Sequence, residues 1–308
     1  MKIIKFIIGL VLGISILVLP VSNFQTSPIE PLKDLAVQLE GRKKPLDTVA
    51  RETVAQIHGR TSYQTSDGAK LNYLDTYLSL WFNNRNWNEE PFILFSYRPL
   101  KEQLGLDPER KYFSFSELMQ SGFRDILLAT KEKQVAGIEL NRDEREVLTI
   151  EDRLALTVEI VGNDNLPLVP HPTDIKGSWV GIPEAQQYYN TGSVKSLTAD
   201  YDNLKQLYRN NSQDKASLGT IASKLQTQLA NLSPSIYPDT ATLAREVRFY
   251  GLHPFAKAWM IYALGFLIML VVLLFNSLDF YWGAVGIFSS GLIIHGYGFL
   301  ERMQIAGR

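Results

Sequence analysis

Four histidines are the side chains in this 308-residue sequence best suited to ligation or proton transfer: His58, His171, His253 and His295. They do not form a metal motif, since no pair stands at i, i+4 and no carboxylate–histidine spacing recurs. Ser-His-Asp catalysis needs only geometry, but no Gly-x-Ser-x-Gly elbow is present, nor a Walker loop or a dinucleotide-binding glycine fingerprint. The absence of cysteine excludes disulfides, thiolate metal sites, a thiol nucleophile and a Cys-x-x-Cys-His haem attachment motif.

His295 is the leading candidate. It lies in Ile293-Ile294-His295-Gly296-Tyr297-Gly298, inside an uncharged run from Phe280 to Leu300. A polar ring in so apolar a segment is costly without a partner, which makes it a functional candidate. A neutral imidazole suits the axial position of haem iron. Gly296 and Gly298 would let another backbone or a flat macrocycle approach. The competing reading is a histidine hydrogen-bonded to a neighbouring helix. His253, followed by Pro254, stands at the outer mouth of the preceding apolar run, as a second haem ligand or an interfacial anchor. His58 falls at the C-terminus of an expected helix, where a partly charged imidazole suits the dipole. His171, between Pro170 and Pro172, reads as a loop residue. The basic stretch Gly41-Arg42-Lys43-Lys44-Pro45 is either a site for an acidic group such as a haem propionate or a solvated charge run before a helix.

The elements that hold these residues follow from where charge is missing. Lys+Arg (31) and Asp+Glu (32) nearly cancel, so bulk positive charge does not make this a nucleic-acid binder. Yet residues 255–300 carry only Lys257 and Asp279, and residues 1–24 only Lys2 and Lys5. Ala258–Phe275 and Phe280–Leu300 are each close to the ~20 residues a helix needs to cross a bilayer. Asn276-Ser277-Leu278-Asp279 joins them as a tight hairpin. Trp259, Tyr262, Tyr281 and Trp282 sit near the ends, where aromatic rings favour the headgroup region. Gly286 and Ser290 form a small-x-x-x-small packing face.

Residues 1–24 read as a signal peptide or N-terminal membrane anchor. Ser22-Asn23-Phe24-Gln25 is a poor cleavage site, which favours the anchor. Lys2 and Lys5 keep the start in the cytoplasm, so residues 25–254 are expected to be extracytoplasmic and 255–308 to form two transmembrane helices. The lysine- and arginine-free hairpin loop argues the other way under the positive-inside rule, but a long segment is translocated largely regardless of its charge.

Residues 25–254 read as mainly helical. One stripe runs from Leu46 through Val49, Ala50, Val54 and Ile57 to a stop at Gly59, and Leu71, Leu74, Leu78, Trp81 and Phe82 form another. Ser114-x-x-Glu117 is a capping box ahead of Leu118, Met119, Phe123, Ile126 and Leu127. Residues 141–161 form a long helix, 164–183 a loop, and 197–209 and 214–231 two more helices. A last one starts near Thr240. The fold class is therefore mainly α, an integral membrane protein with a large extracytoplasmic helical domain and a C-terminal transmembrane hairpin.

Several stretches together resemble the N-terminal portion of bacterial cytochrome c biogenesis proteins of the Ccs (ResC-type, system II) family. They are Leu35–Glu52 with its Gly-Arg-x-x-Pro-Leu-Asp-Thr block, Ile57-His58-Gly59-Arg60, Lys111–Leu118, Leu168-Val169-Pro170 with Trp179, and Glu246-x-x-Phe249-Tyr250-x-x-His253-Pro254-Phe255-x-x-Ala258-Trp259-x-x-Tyr262. The resemblance covers most of residues 35–308. It implies a multi-pass protein of the bacterial cytoplasmic (inner) membrane that helps carry haem to the outer face and present it to apocytochrome c, with His295 as a haem ligand. In the family an Ala-Gly-Arg-like ending leads into further helices and a tryptophan-rich loop. This chain stops at Arg308, so the expected partner is a haem-handling membrane subunit or a missing C-terminal part. Stand-alone lyase activity is not expected. The rival reading is a membrane-anchored extracytoplasmic binding or scaffold protein with no haem role.

Overall fold

The structure, a computed structural model, describes residues 2–18, 29–39, 41–210, 215–275 and 280–306. It is mainly helical, and its residues divide into two compact units, Met1–Ser27 with Asp239–Arg308, and Pro28–Pro238. The Asn276–Asp279 connection and the Ser22–Gln25 stretch lie outside the described residues.

The apolar unit holds helix α1 (Lys2–Val18) and three helices near the C-terminus. The larger unit opens with a 3-10 turn at Glu30–Asp34 and a hairpin of β1 (Ala36–Leu39) and β2 (Arg42–Pro45), paired from Ala36↔Pro45 to Leu39↔Arg42. Gly41 supplies the positive φ of +73° that the reversal needs. Pro45 cannot continue a ladder and leads directly into α2 (Leu46–His58), which Gly59 ends in the left-handed conformation. In the first turn of α2, Asp47 is fully buried. It accepts from the Tyr73 hydroxyl and from Arg51 at 3.2 Å, while the Arg51 guanidinium lies 4.0 Å from the Tyr73 ring centre. The Gly-Arg-x-x-Pro-Leu-Asp-Thr block is thus a hairpin-to-helix corner whose one buried carboxylate is paired.

Strands β3 (Ser62–Gln64) and β4 (Lys70–Asn72) form a second hairpin ahead of α3 (Tyr73–Phe82), which Asn72 caps through its side chain to Asp75 N. Strand β5 (Ile93–Leu94), α4 (Arg98–Gln103) and β6 (Tyr112–Phe113) follow, with β5 and β6 paired. Ser114 and Glu117 form the expected capping box of α5 (Phe115–Gln120). The single helix expected from there through Leu127 is broken, because Gly122 takes φ +80° and starts α6 (Phe123–Val135) as a separate element. Helix α7 (Arg142–Ile160) opens with a second capping box, Asn141 with Glu144. The loop that follows is pinned by a Val169–Val180 bridge, by Gln38 bonded to Trp179 N and Gly177 O, and by a 3-10 turn at Ile182–Gln187. Helices α8 (Thr191–Arg209) and α9 (Lys215–Leu232) pack on one another and complete the unit. Its core centres on Trp81, Phe82 and Tyr201, with a second aromatic cluster at Tyr63, Trp87 and Phe92.

In the apolar unit, α10 (Thr240–Leu252) ends at His253 with φ +46°, and Pro254 starts α11 (Pro254–Phe275). Helix α12 is Tyr281–Ala306. Among the described residues, two helices are long and apolar enough to cross a membrane, Thr240–Phe275 counted through the bend at His253, and Tyr281–Ala306. Phe266, Leu267, Leu273, Leu274, Leu292 and Leu300 are exposed along them, and so is Trp259, as lipid contact would require. Between α11 and α12 the packing is apolar, through Ala258, Ile261, Ile287 and Ile294.

The small-residue face expected at Gly286 and Ser290 is real, and its partner is α1. A β-carbon on Gly286 would lie 2.2 Å from the Phe6 carbonyl oxygen, one on Gly9 2.2 Å from the Gly283 oxygen, and one on Gly13 1.7 Å from the Ser290 hydroxyl. The match on α1 is a Gly9-x-x-x-Gly13 pair.

Candidate functional site

His295 sits half-buried among aromatic rings. The Phe299 ring stacks parallel to it at 5.2 Å, one turn along α12, and Phe255 from the start of α11 meets it edge-on at 5.4 Å. Phe255 also packs edge-on against both Phe249 and Phe299, which extends the aromatic wall to α10. The polar neighbour is Tyr262, whose hydroxyl oxygen lies 3.4 Å from His295 Nδ1. Among the described residues, no hydrogen bond is made by Nε2.

Glycines set this geometry. A β-carbon on Gly291 would fall 2.6 Å from the Tyr262 ring, and one on Gly298 would fall 3.0 Å from Phe255, so both rings rest against bare backbone. Gly298 is therefore taken by Phe255 and is not an open approach. Gly296 is open, since a β-carbon there would meet nothing within 4 Å.

A His whose Nδ1 is fixed by a second group and whose Nε2 has no protein partner is set up as a ligand, because the second group fixes ring orientation. The residues present fit an iron-porphyrin in that respect: an imidazole donor, an open glycine beside it and a wall of aromatic rings. Nearby, α10 is tied to the end of α12 by a two-pronged Arg245–Glu301 ion pair at 2.7 and 3.2 Å.

The other candidates fall elsewhere. His253 is half-buried at the α10–α11 bend, two residues before Phe255, and its carbonyl accepts from Lys257 N at 3.1 Å. His171 is a loop residue, as expected, and its Nδ1 accepts from Asp174 N at 2.9 Å and Thr173 N at 3.3 Å.

His58 ends a helix and is a structural residue, as expected, but burial works against the partly charged imidazole that the helix dipole would favour. Burial holds its pKa below the ordinary histidine value; the bond to the Phe92 carbonyl opposes that, and the nearby Arg60 charge adds to it. The ring stacks on Tyr112 at 4.2 Å and Phe92 at 5.1 Å. Since a carbonyl can only accept, Nδ1 donates to Phe92 O at 2.9 Å. His58 is a neutral core residue.

The basic stretch is also mostly engaged within the protein. Lys44 pairs with Glu52 at 2.8 Å, and Lys43 donates to the Ile236 carbonyl at 2.9 Å beside the Trp179 ring. Burial lowers the Lys43 pKa. Arg42 alone of the three is exposed.

What missed notice in the sequence was the ring set around His295. Phe255 and Phe299 are 44 positions apart, and only the pairing of α11 with α12 brings them to one imidazole.

Fold and site together define a mainly helical protein with an apolar helical unit carrying a histidine among aromatic rings, and a larger helical unit. No protein-family profile matches the chain. Over 157 residues, 49% of the chain, it is similar to Protein NrfI of Wolinella succinogenes, at 25% identity. The match spans 16% of the length of NrfI.

Proposed function

We propose that the chain is a component of a membrane cytochrome c assembly machine, assisting haem delivery and attachment to apocytochrome c on the outer face of the membrane. The observation that carries this reading is His295, an imidazole inside an apolar helix pair with one hydroxyl on Nδ1 and aromatic rings around it. The similarity to NrfI over half the chain supports a place in cytochrome c maturation. The apolar helices support a membrane location.

Haem is cargo in this reading. His295 Nε2 would hold its iron, and the Tyr262 hydroxyl would keep the ring oriented and raise its basicity by accepting from Nδ1. Phe255 and Phe299 would exclude water from that side. His253 is the second candidate ligand. A tryptophan-rich membrane partner or C-terminal part would complete the site. The sulfur chemistry belongs to the client, because this sequence has no cysteine.

The test is haem absorption of the chain purified with and without its partner, for wild type, His295→Ala and Tyr262→Phe. His295→Ala should lose the haem band, and Tyr262→Phe should weaken haem affinity by about 10-fold or more. Unchanged haem content in both complexes would sink the ligand claim and leave the scaffold reading.

A further inference from the structure

The larger unit holds a cavity of about 680 Å³, within the size range of small-molecule sites. It is lined by Arg60 just past α2, Lys70 on β4, and Arg110 and Lys111 just before β6, together with His58 and Tyr112. Among the described residues, no carboxylate lines it. This is notable in a region that carries 30 Asp+Glu against 26 Lys+Arg between residues 25 and 254.

Two acids touch the lining residues, Glu90 at Tyr63 and Glu117 at Arg110. Glu90 accepts from the Tyr63 hydroxyl, from Ser66 through N at 3.1 Å and Oγ at 2.9 Å, and from Arg85 at 3.0 Å. Of the four cations, Arg110 is paired, with Glu117 at 2.6 Å. Among the described residues, Arg60, Lys70 and Lys111 have no ion-pair partner, and all three are exposed. Three uncompensated cations from separate segments around one concavity focus a positive potential there.

We propose that this cavity is a binding site for a small polyanion carrying phosphate-type oxyanions, either free or displayed as a lipid headgroup. Arg60 and Lys111 would grip opposite oxyanions, Lys70 would close over them from the β3–β4 hairpin, and the exposed edge of Tyr112 would meet the ligand's less polar side. A concave site of this volume suits a compact ligand rather than an extended acidic chain. The proposal does not depend on haem binding at His295.

The test uses the full chain in phosphatidylcholine nanodiscs, titrated calorimetrically with inorganic pyrophosphate. Saturable binding is expected, weakened about tenfold or more in the Arg60→Ala/Lys70→Ala double variant. The charge-keeping pair Arg60→Lys/Lys70→Arg should stay within about threefold of wild type. Removing two exposed lysines away from the cavity, Lys176→Ala/Lys195→Ala, should change nothing. A second arm uses nanodiscs containing phosphatidic acid. Protection of Lys70 and Lys111 from amine-reactive labelling there, lost in the Arg60→Ala/Lys70→Ala variant at Lys111, identifies a headgroup as the source; protection by free pyrophosphate alone identifies a soluble ligand. Absence of saturable binding in both arms overturns the proposal. So does an equal loss in the Lys176→Ala/Lys195→Ala control, or tighter binding of a glutamate-rich peptide, which would point to a protein partner.

Discussion

His58 shows how far residue type alone misleads. Its place at the end of a helix invites a charged ring, yet three aromatic neighbours and a buried carbonyl make neutrality the better state. The consequence is a pH dependence with a definite sign. The unfolded chain takes up the proton near the ordinary histidine pKa of about 6.5. The folded chain takes it up only at lower pH, because its pKa is depressed. Between those two values the unfolded state binds more protons, so stability falls as pH falls. Thermal melts of the full chain from pH 7.5 to 5 should therefore show a decline that begins near neutrality. His58→Phe keeps a ring against Tyr112 but has nothing to protonate, and its melts should be flatter across that window. Identical pH profiles for the two chains would refute the assignment. The charge of His58 was hidden in the sequence because its partners, Phe92 and Tyr112, lie 34 and 54 positions away. His171 was readable because Pro170 and Pro172 fix its backbone locally.

The long helices follow from periodicity: residues 141–161 became Arg142–Ile160 and the helix expected near Thr240 starts there, but the one expected at 197–209 begins six residues earlier, at Thr191, where the Asn190 side chain caps it. The hairpins were not readable, since β1 to β6 have two to four residues each and so few positions carry no clear alternation. β2 is hidden further by its sequence, Arg42-Lys43-Lys44-Pro45, which looks like solvent-exposed charge until Lys43 and Lys44 are seen with their partners. The contact of α1 with α12 is half readable, because the small-residue spacing of Gly286 and Ser290 shows a packing face but not the helix that meets it. It carries a clear expectation. In Gly286→Leu the new side chain meets the Phe6 carbonyl and the Leu10 amide, both backbone atoms that cannot move aside by a rotamer change. Overpacking of that kind costs about 1–3 kcal/mol, and here it would push α1 off α12. Gly296→Ala, with nothing within 4 Å of the new carbon, should be neutral. Melting of the two variants in detergent, side by side, measures the difference. Equal stability would mean that α1 is not held on α12 in the assembled protein.

For the molecule as a whole, two electrostatic arguments about the side of the membrane taken by the larger unit oppose each other. Lys2 and Lys5 precede the first apolar helix, which under the positive-inside rule would hold its start in the cytoplasm. The connection between α11 and α12 has no Lys or Arg, while Lys257 and Arg302 lie toward the opposite ends of those helices, which taken alone would invert the hairpin. A helix at the start of the chain acts before the hairpin exists. Once it has begun translocation, the roughly 230 residues that follow cross largely without regard to charge. Two more crossings would then put residues 276–279 on the cytoplasmic side and return α12 to the outer one. This order of events, and not the local charge count, should decide the topology. Because the sequence is free of cysteine, single cysteines report it cleanly. In intact cells a membrane-impermeant thiol reagent should label Lys176→Cys, on an exposed loop of the larger unit, and should reach Ser277→Cys only after the membrane is opened. The reverse pattern would put the larger unit in the cytoplasm and remove it from any role at the outer face.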